Sequence, residues 1–207
     1  MPNVSSVKSK FFGAVDALDA DGISVAASIG SATTLTLGGT LTSGGSYTSG
    51  DNIGQLITIL SAADDSGITF TIVGTDAVGD ALTEVVTGAS GAPGTATSAG
   101  YFNTVASITT SGASAGNVSA GVTGTGTGTV FAGRTRIRGL QGLSGTSAGN
   151  LLFKNTSITG TTLLTVPTQA AAELIEPYIP DNAVLFDAGA YVNFGSAVAT
   201  VTVFYDG

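Results

Sequence analysis

Short runs in which apolar residues alternate with Thr and Ser recur along the chain. The clearest is Ile68-Thr69-Phe70-Thr71-Ile72, whose period of two places Ile68, Phe70 and Ile72 on one face and the threonines on the other. Similar runs cover residues 33–37, with Leu35 and Leu37 inward, and residues 56–60, 82–87, 101–108, 129–137, 151–155, 163–166 and 198–205. Turn formers separate them: Gly38-Gly39, Ser43-Gly44-Gly45-Ser46, Ala63-Asp64-Asp65-Ser66-Gly67, Ala77-Val78-Gly79-Asp80 and Ser144-Gly145-Thr146. Short strands at spacings of roughly 8–15 residues predict an all-β chain made of two small sandwich or barrel-like modules.

Helical signal is confined to two short segments. Residues 168–175 open on Thr168, continue through Ala170-Ala171-Ala172-Glu173, and are limited by Pro177 to about two turns. Residues 9–18 form the second candidate. The expected organisation is an N-terminal arm at 1–22, a first β-domain at 23–133 and a second at 134–207. The Gly/Thr stretch 121–129, read as a flexible connector or a series of tight turns, and the return of charge at Arg134 set that boundary.

Composition narrows the chemistry. The 207 residues include 31 Gly and no His, Cys or Trp. An imidazole base, a thiolate nucleophile, a zinc site of the usual N/S type and a disulfide framework are therefore excluded. A chain of this length buries roughly 70% of its unfolded surface, enough to fold without staples. Its formal charge of -8 disfavours nucleic acid, because phosphate backbones are met by basic surfaces. Residues 22–50 and 85–133 carry no charged side chain at all. Mean hydropathy is +0.42, yet the apolar residues are scattered and no window is long and apolar enough for a membrane helix. The apolar run after Lys8 and Lys10 stops at Asp16, short of a signal-peptide core, which points to synthesis in the cytoplasm.

Paired carboxylates are the catalytic chemistry that remains, as in glycoside hydrolysis. Asp64 and Asp65 sit beside Ser66-Gly67 and read as a turn, and Asp76 to Asp80 read as a hairpin loop near Glu84. Asp16, Asp19, Asp21 and Gly22 resemble a calcium loop, but Ala17 and Ser28 stand where ligands are required. Gly124-Thr125-Gly126-Thr127-Gly128 lacks the lysine and helix of a phosphate-binding loop. The sequons at Asn3, Asn117 and Asn155 are uninformative without an export signal. No cofactor is expected. Arg134, Arg136 and Arg138 are all the arginines of the chain; in a strand they share one face. That face is either a charged edge strand that resists aggregation or a docking stripe for an acidic partner. In the arm, Phe11 and Phe12 beside Lys8 and Lys10 form a second candidate contact, unless they fold back on their own domain.

Residues 65–88, DSGITFTIVGTDAVGDALTEVVTG, and 101–121, YFNTVASITTSGASAGNVSAG, resemble small β-rich virion structural proteins of tailed bacteriophages. Residues 179–207, IPDNAVLFDAGAYVNFGSAVATVTVFYDG, resemble the C-terminal strands of similar head- or tail-associated proteins. Together these segments make up about a third of the chain. The resemblance implies a non-enzymatic virion component, and within that class a capsid decoration protein outside the head. It would bind the major capsid protein or other virion proteins and associate with itself, as a homotrimer, without nucleic acid or membrane. A tail, neck or fibre component is the alternative inside the class, and an Ig-like bacterial surface adhesin the alternative outside it. A carboxylate glycosidase would need two acids from separate strands on one face.

Overall fold

The computed structural model describes residues 7–170, 172–194 and 198–207, and every regular element in them is a β-strand. In chain order these are β1 (Lys8–Phe12), β2 (Asp19–Ser28), β3 (Thr33–Thr34), β4 (Thr42–Ser43), β5 (Ser46–Thr48) and β6 (Gly54–Ser61). There follow β7 (Thr69–Thr75), β8 (Ala81–Thr87), β9 (Gly94–Phe102), β10 (Thr104–Thr110), β11 (Asn117–Phe131) and β12 (Thr135–Ser144). The last are β13 (Gly149–Asn155), β14 (Thr162–Thr168), β15 (Leu174–Ile175), β16 (Val184–Phe186), β17 (Ala190–Phe194) and β18 (Val198–Asp206). The all-β reading of the alternating pattern holds. The chain divides into two units: a terminal unit of Met1–Val15, Asp51–Ile53 and Gly126–Gly207, and a middle unit of Asp16–Gly50 and Gly54–Thr125.

The terminal unit is a sandwich of two antiparallel sheets. One has the order β1-β18-β12-β15, with β16 also on β12; the other runs β14-β13-β17 and ends on residues 126–131 of β11. Strand alternation sends Phe12, Ile137, Leu140, Val201 and Val203 inward from the first sheet, and Val130, Leu151, Phe153, Val192 and Phe194 from the second. Phe12 and Phe194 meet with ring centroids 5.4 Å apart. Gly128 lies under that ring, and a Cβ there would collide with Phe12 and come within 2.9 Å of the Asn52 carbonyl oxygen.

The middle unit is a second sandwich. One sheet has the order β4-β5-β10-β7-β8 with β3 also on β10; the other contains β2, residues 117–125 of β11, β6 and β9. Its core joins Tyr47, Phe70, Ile72, Val105 and Ile108 to Ile23, Ile57, Ile59, Phe102 and Val118. Ser43 pairs with Ser46 across Gly44 and Gly45, whose φ values of 61° and 81° suit the two-residue hairpin turn that right-twisted strands favour.

Several local expectations are corrected. Neither helix forms. Residues 8–12 are a strand because Phe12 gains a fully buried site opposite Val201 on β18. In the 168–175 segment, where Ala171 lies outside the described residues, β14 runs to Thr168 and Leu174 and Ile175 pair with β12. So short a helix is marginal in water, and the pairing satisfies the backbone better. The Gly/Thr stretch is strand, not connector: glycines let neighbouring backbone approach β11 closely, as Asp19 does at Gly121. The run 129–137 breaks into β11 and β12 at residues 132–134. The arm expected at 1–22 is divided: β1 belongs to the terminal unit and β2 begins in the middle unit, while residues 1–6, with Asn3, lie outside the described residues.

Candidate partner-binding surface

The arginines lie at the start of β12, which is flanked by β18 on one side and by β16 and β15 on the other. The edge-strand reading is thereby corrected. Thr135 and Ile137 turn inward, and Arg136 turns outward as the period of two requires. The register against β18 slips between Ile137 and Gly139, making Arg138 the extra residue of a bulge. Its Nε and Nη2 each lie 2.5 Å from Asp206 Oδ2, and its Nη1 donates to the Asp181 carbonyl at 3.0 Å. Arg136 Nη1 donates to the Asn182 carbonyl at 2.5 Å. Two of the three guanidinium groups thus tie the 181–182 turn to the sheet. Arg134, just before the strand, keeps only a 3.8 Å contact with Asp187 and stays well exposed.

On β1, alternation separates the two phenylalanines. Phe12 is fully buried and unavailable to a partner in the folded chain, which corrects its assignment as a contact residue; Phe11 is 45% exposed. Gly13 N–H donates to the Asp51 carbonyl, and Asn52 Nδ2 to the Phe11 carbonyl at 2.8 Å, so β1 is held at its end. Lys8 Nζ donates to the Gly207 carbonyl at 2.6 Å and lies 5.6 Å from the Phe131 ring centroid. Lys10 stands 5.9 Å from the Phe12 ring, and partial burial lowers its pKa. Sequence reading missed Phe204 and Leu143, both exposed on this same outward face, and Leu174, which pairs with Leu143. The signal for Phe204 was available: on β18 it stands at a position in line with the outward Thr202.

The candidate acids serve the backbone. Asp64 Oδ1 accepts from Ser66 N–H at 3.0 Å and Ser66 Oγ at 2.6 Å, which lowers its pKa. Asp65 is buried and accepts from Ala115 N–H at 2.7 Å. Asp76 Oδ1 takes the amides of Val78 and Asp80 at 2.9 and 3.0 Å, closing the β7–β8 loop. The Glu84 carboxylate takes the Ala99 and Gly100 amides at 2.7 and 2.8 Å, where the register of β9 against β6 slips. In the region read against the calcium pattern, Asp19 accepts from Thr40 Oγ1 at 2.9 Å and from Asp21 N–H at 3.2 Å. Asp16 accepts from the Tyr47 hydroxyl at 2.8 Å. Burial raises the Asp16 pKa, the Tyr47 bond partly opposing it, and burial also raises that of Tyr47. Among the described residues no three acidic side chains gather to hold a metal ion. No family model, curated protein or solved structure matches the chain.

Proposed function

We propose that the chain is a structural component of a tailed-phage virion, a decoration protein on the outside of the head that acts by binding and not by catalysis. The observation that carries this reading is the use of the carboxylates. Four of the five acids considered for hydrolysis are occupied by hydrogen bonds inside the fold: Asp64 and Asp76 within their own turns, Asp65 on the Ala115 amide, and Glu84 of β8 on the Ala99 and Gly100 amides of β9. The phage-like segments and a Cys-free, charge-poor β-build, suited to close assembly in a reducing cytoplasm, support it. Attachment falls to the outward face of the β1-β18-β12 sheet, where Phe11, Phe204 and Leu143 are exposed, and to the exposed Arg134 that precedes β12.

Mass spectrometry and cryo-electron microscopy of purified particles test the proposal. The chain is expected in hundreds of copies on the head surface. A few copies, or density confined to the tail, would move it to the tail or neck, and recovery only from the soluble fraction of infected cells would defeat the virion reading. F11A together with R134A is expected to lower particle binding while leaving the thermal transition within a few degrees of the parent. Normal particle binding by that variant would exclude this face.

A further inference from the structure

In the middle unit, β2 is bonded along one side to β11, but among the described residues its other side is paired only at the start: Gly39 N–H donates to the Ile23 carbonyl and Leu41 N–H to the Gly22 carbonyl. Beyond Ser24 the two segments diverge. Residues 33–38, which bond to β10 through Thr34 and Leu35, lie across a cleft of about 400 Å³ from residues 24–30. Ile29, Leu35 and Val118 of the core reach its wall, and Ala26, Ala27, Gly30 and Gly38 leave it lined mainly by small groups. The register against β11 slips opposite Val25 and Ala26, and residues 25–28 are exposed on both faces of the strand.

Most other sheet edges among the described residues are guarded or short. β1 carries Lys8 and Lys10, β14 carries Pro167, Glu84 of β8 takes two amides of β9, β3, β4 and β15 are two residues long and β16 three. Residues 25–28 have neither a charge nor a proline, and no charged residue occurs anywhere in 22–50 of a chain whose net charge is -8. Copies of a protein with this net charge repel one another where acidic side chains face; this uncharged stretch is one where they can meet without that penalty.

We propose, independently of the virion reading, that the cleft is a self-association site in which an extended segment of a second copy lies along residues 25–28 of β2. Main-chain hydrogen bonds to the open side of β2 supply the affinity, and the small lining admits alternate small side chains of the entering strand. The wall formed by Ile29, Leu35 and Val118 seals the occupant's inward side.

The test is sedimentation of the full chain over a range of concentrations, combined with hydrogen exchange of residues 24–30. Expected is an oligomer in which amide protection at 24–30 rises with concentration, and a V25D/A27D variant whose association is at least about tenfold weaker. Should the double variant lose its fold, judged by near-ultraviolet circular dichroism, the exposed single change A27K is expected to weaken association in the same direction. A parent that stays monomeric throughout, an oligomer whose 24–30 amides exchange as in dilute solution, or a folded variant that associates normally each overturns the proposal.

Discussion

Neighbouring phenylalanines on one strand have opposite tasks. Phe12 fills a fully enclosed site against Phe194, so F12A is expected to cost about 3–5 kcal/mol in urea denaturation, from lost transfer energy plus the cavity left behind. Asp16 offers a test by pH. Burial places its folded-state pKa above the ordinary 3.8, so its contribution favours folding below pH 3.8 and is lost as pH rises through the folded value. Asp19 and Asp64 run the other way, losing their contribution as pH falls through their lowered values, but Asp64 is exposed, Asp19 lies near the surface, and solvent screens both. D16N is therefore expected to be more stable, relative to the parent, at neutral pH than at pH 3, measured by thermal unfolding across that range. A constant difference would show that Asp16 is not the titrating group. Arg138 shows the limit of reading charge from spacing: the period of two placed it outward, but nothing in the local sequence announced the bulge or Asp206 as its partner.

At the scale of elements, legibility followed how far each element's cause is local. β7 and β8 with their Asp76–Gly79–Asp80 loop were readable because alternation and turn chemistry both lie within the segment. β11 was not, since its glycines disfavour strand and carry no side chain to mark a buried face, and the strand exists through what presses on it from elsewhere, Asp19 at Gly121 and Phe12 at Gly128. G128A is accordingly expected to destabilise by about 1–3 kcal/mol through overpacking, even though alanine favours strand no less than glycine. The β9 slip at residues 98–100 depends on a distant acid in the same way. E84A should cost about 1–3 kcal/mol and speed hydrogen exchange at Ala99 and Gly100, whose amides it leaves without an acceptor. Unchanged exchange at those two amides would remove Glu84 from that role. The candidate contact surface was legible in part: Phe11 and Arg134 stood out by residue type, while Phe204 and Leu143 needed the strand register before their exposure could be seen.

The described residues form two hydrophobic cores, and the chain crosses between their units at Val15–Asp16, Gly50–Asp51, Ile53–Gly54 and Thr125–Gly126. A cut at residue 134, natural from the charge pattern, leaves the later piece without Phe12, Ile53 and Val130, all buried in its core. A fragment of residues 134–207 is expected to lack a cooperative thermal transition, and observing one would show that these side chains are dispensable.

The pairing of β1 with β18 also orders events in time. Lys8 faces Tyr205 and Phe12 faces Val201, and Lys8 bonds to Gly207, 199 positions away. On a ribosome, β1 must wait unpaired while almost two hundred further residues are added, roughly ten to forty seconds of synthesis. A chain that stops before Val201 has a β1 that never finds its neighbour and a Phe12 that stays in water. Such a product leaves an apolar core residue exposed, so only chains translated through that point complete the sandwich.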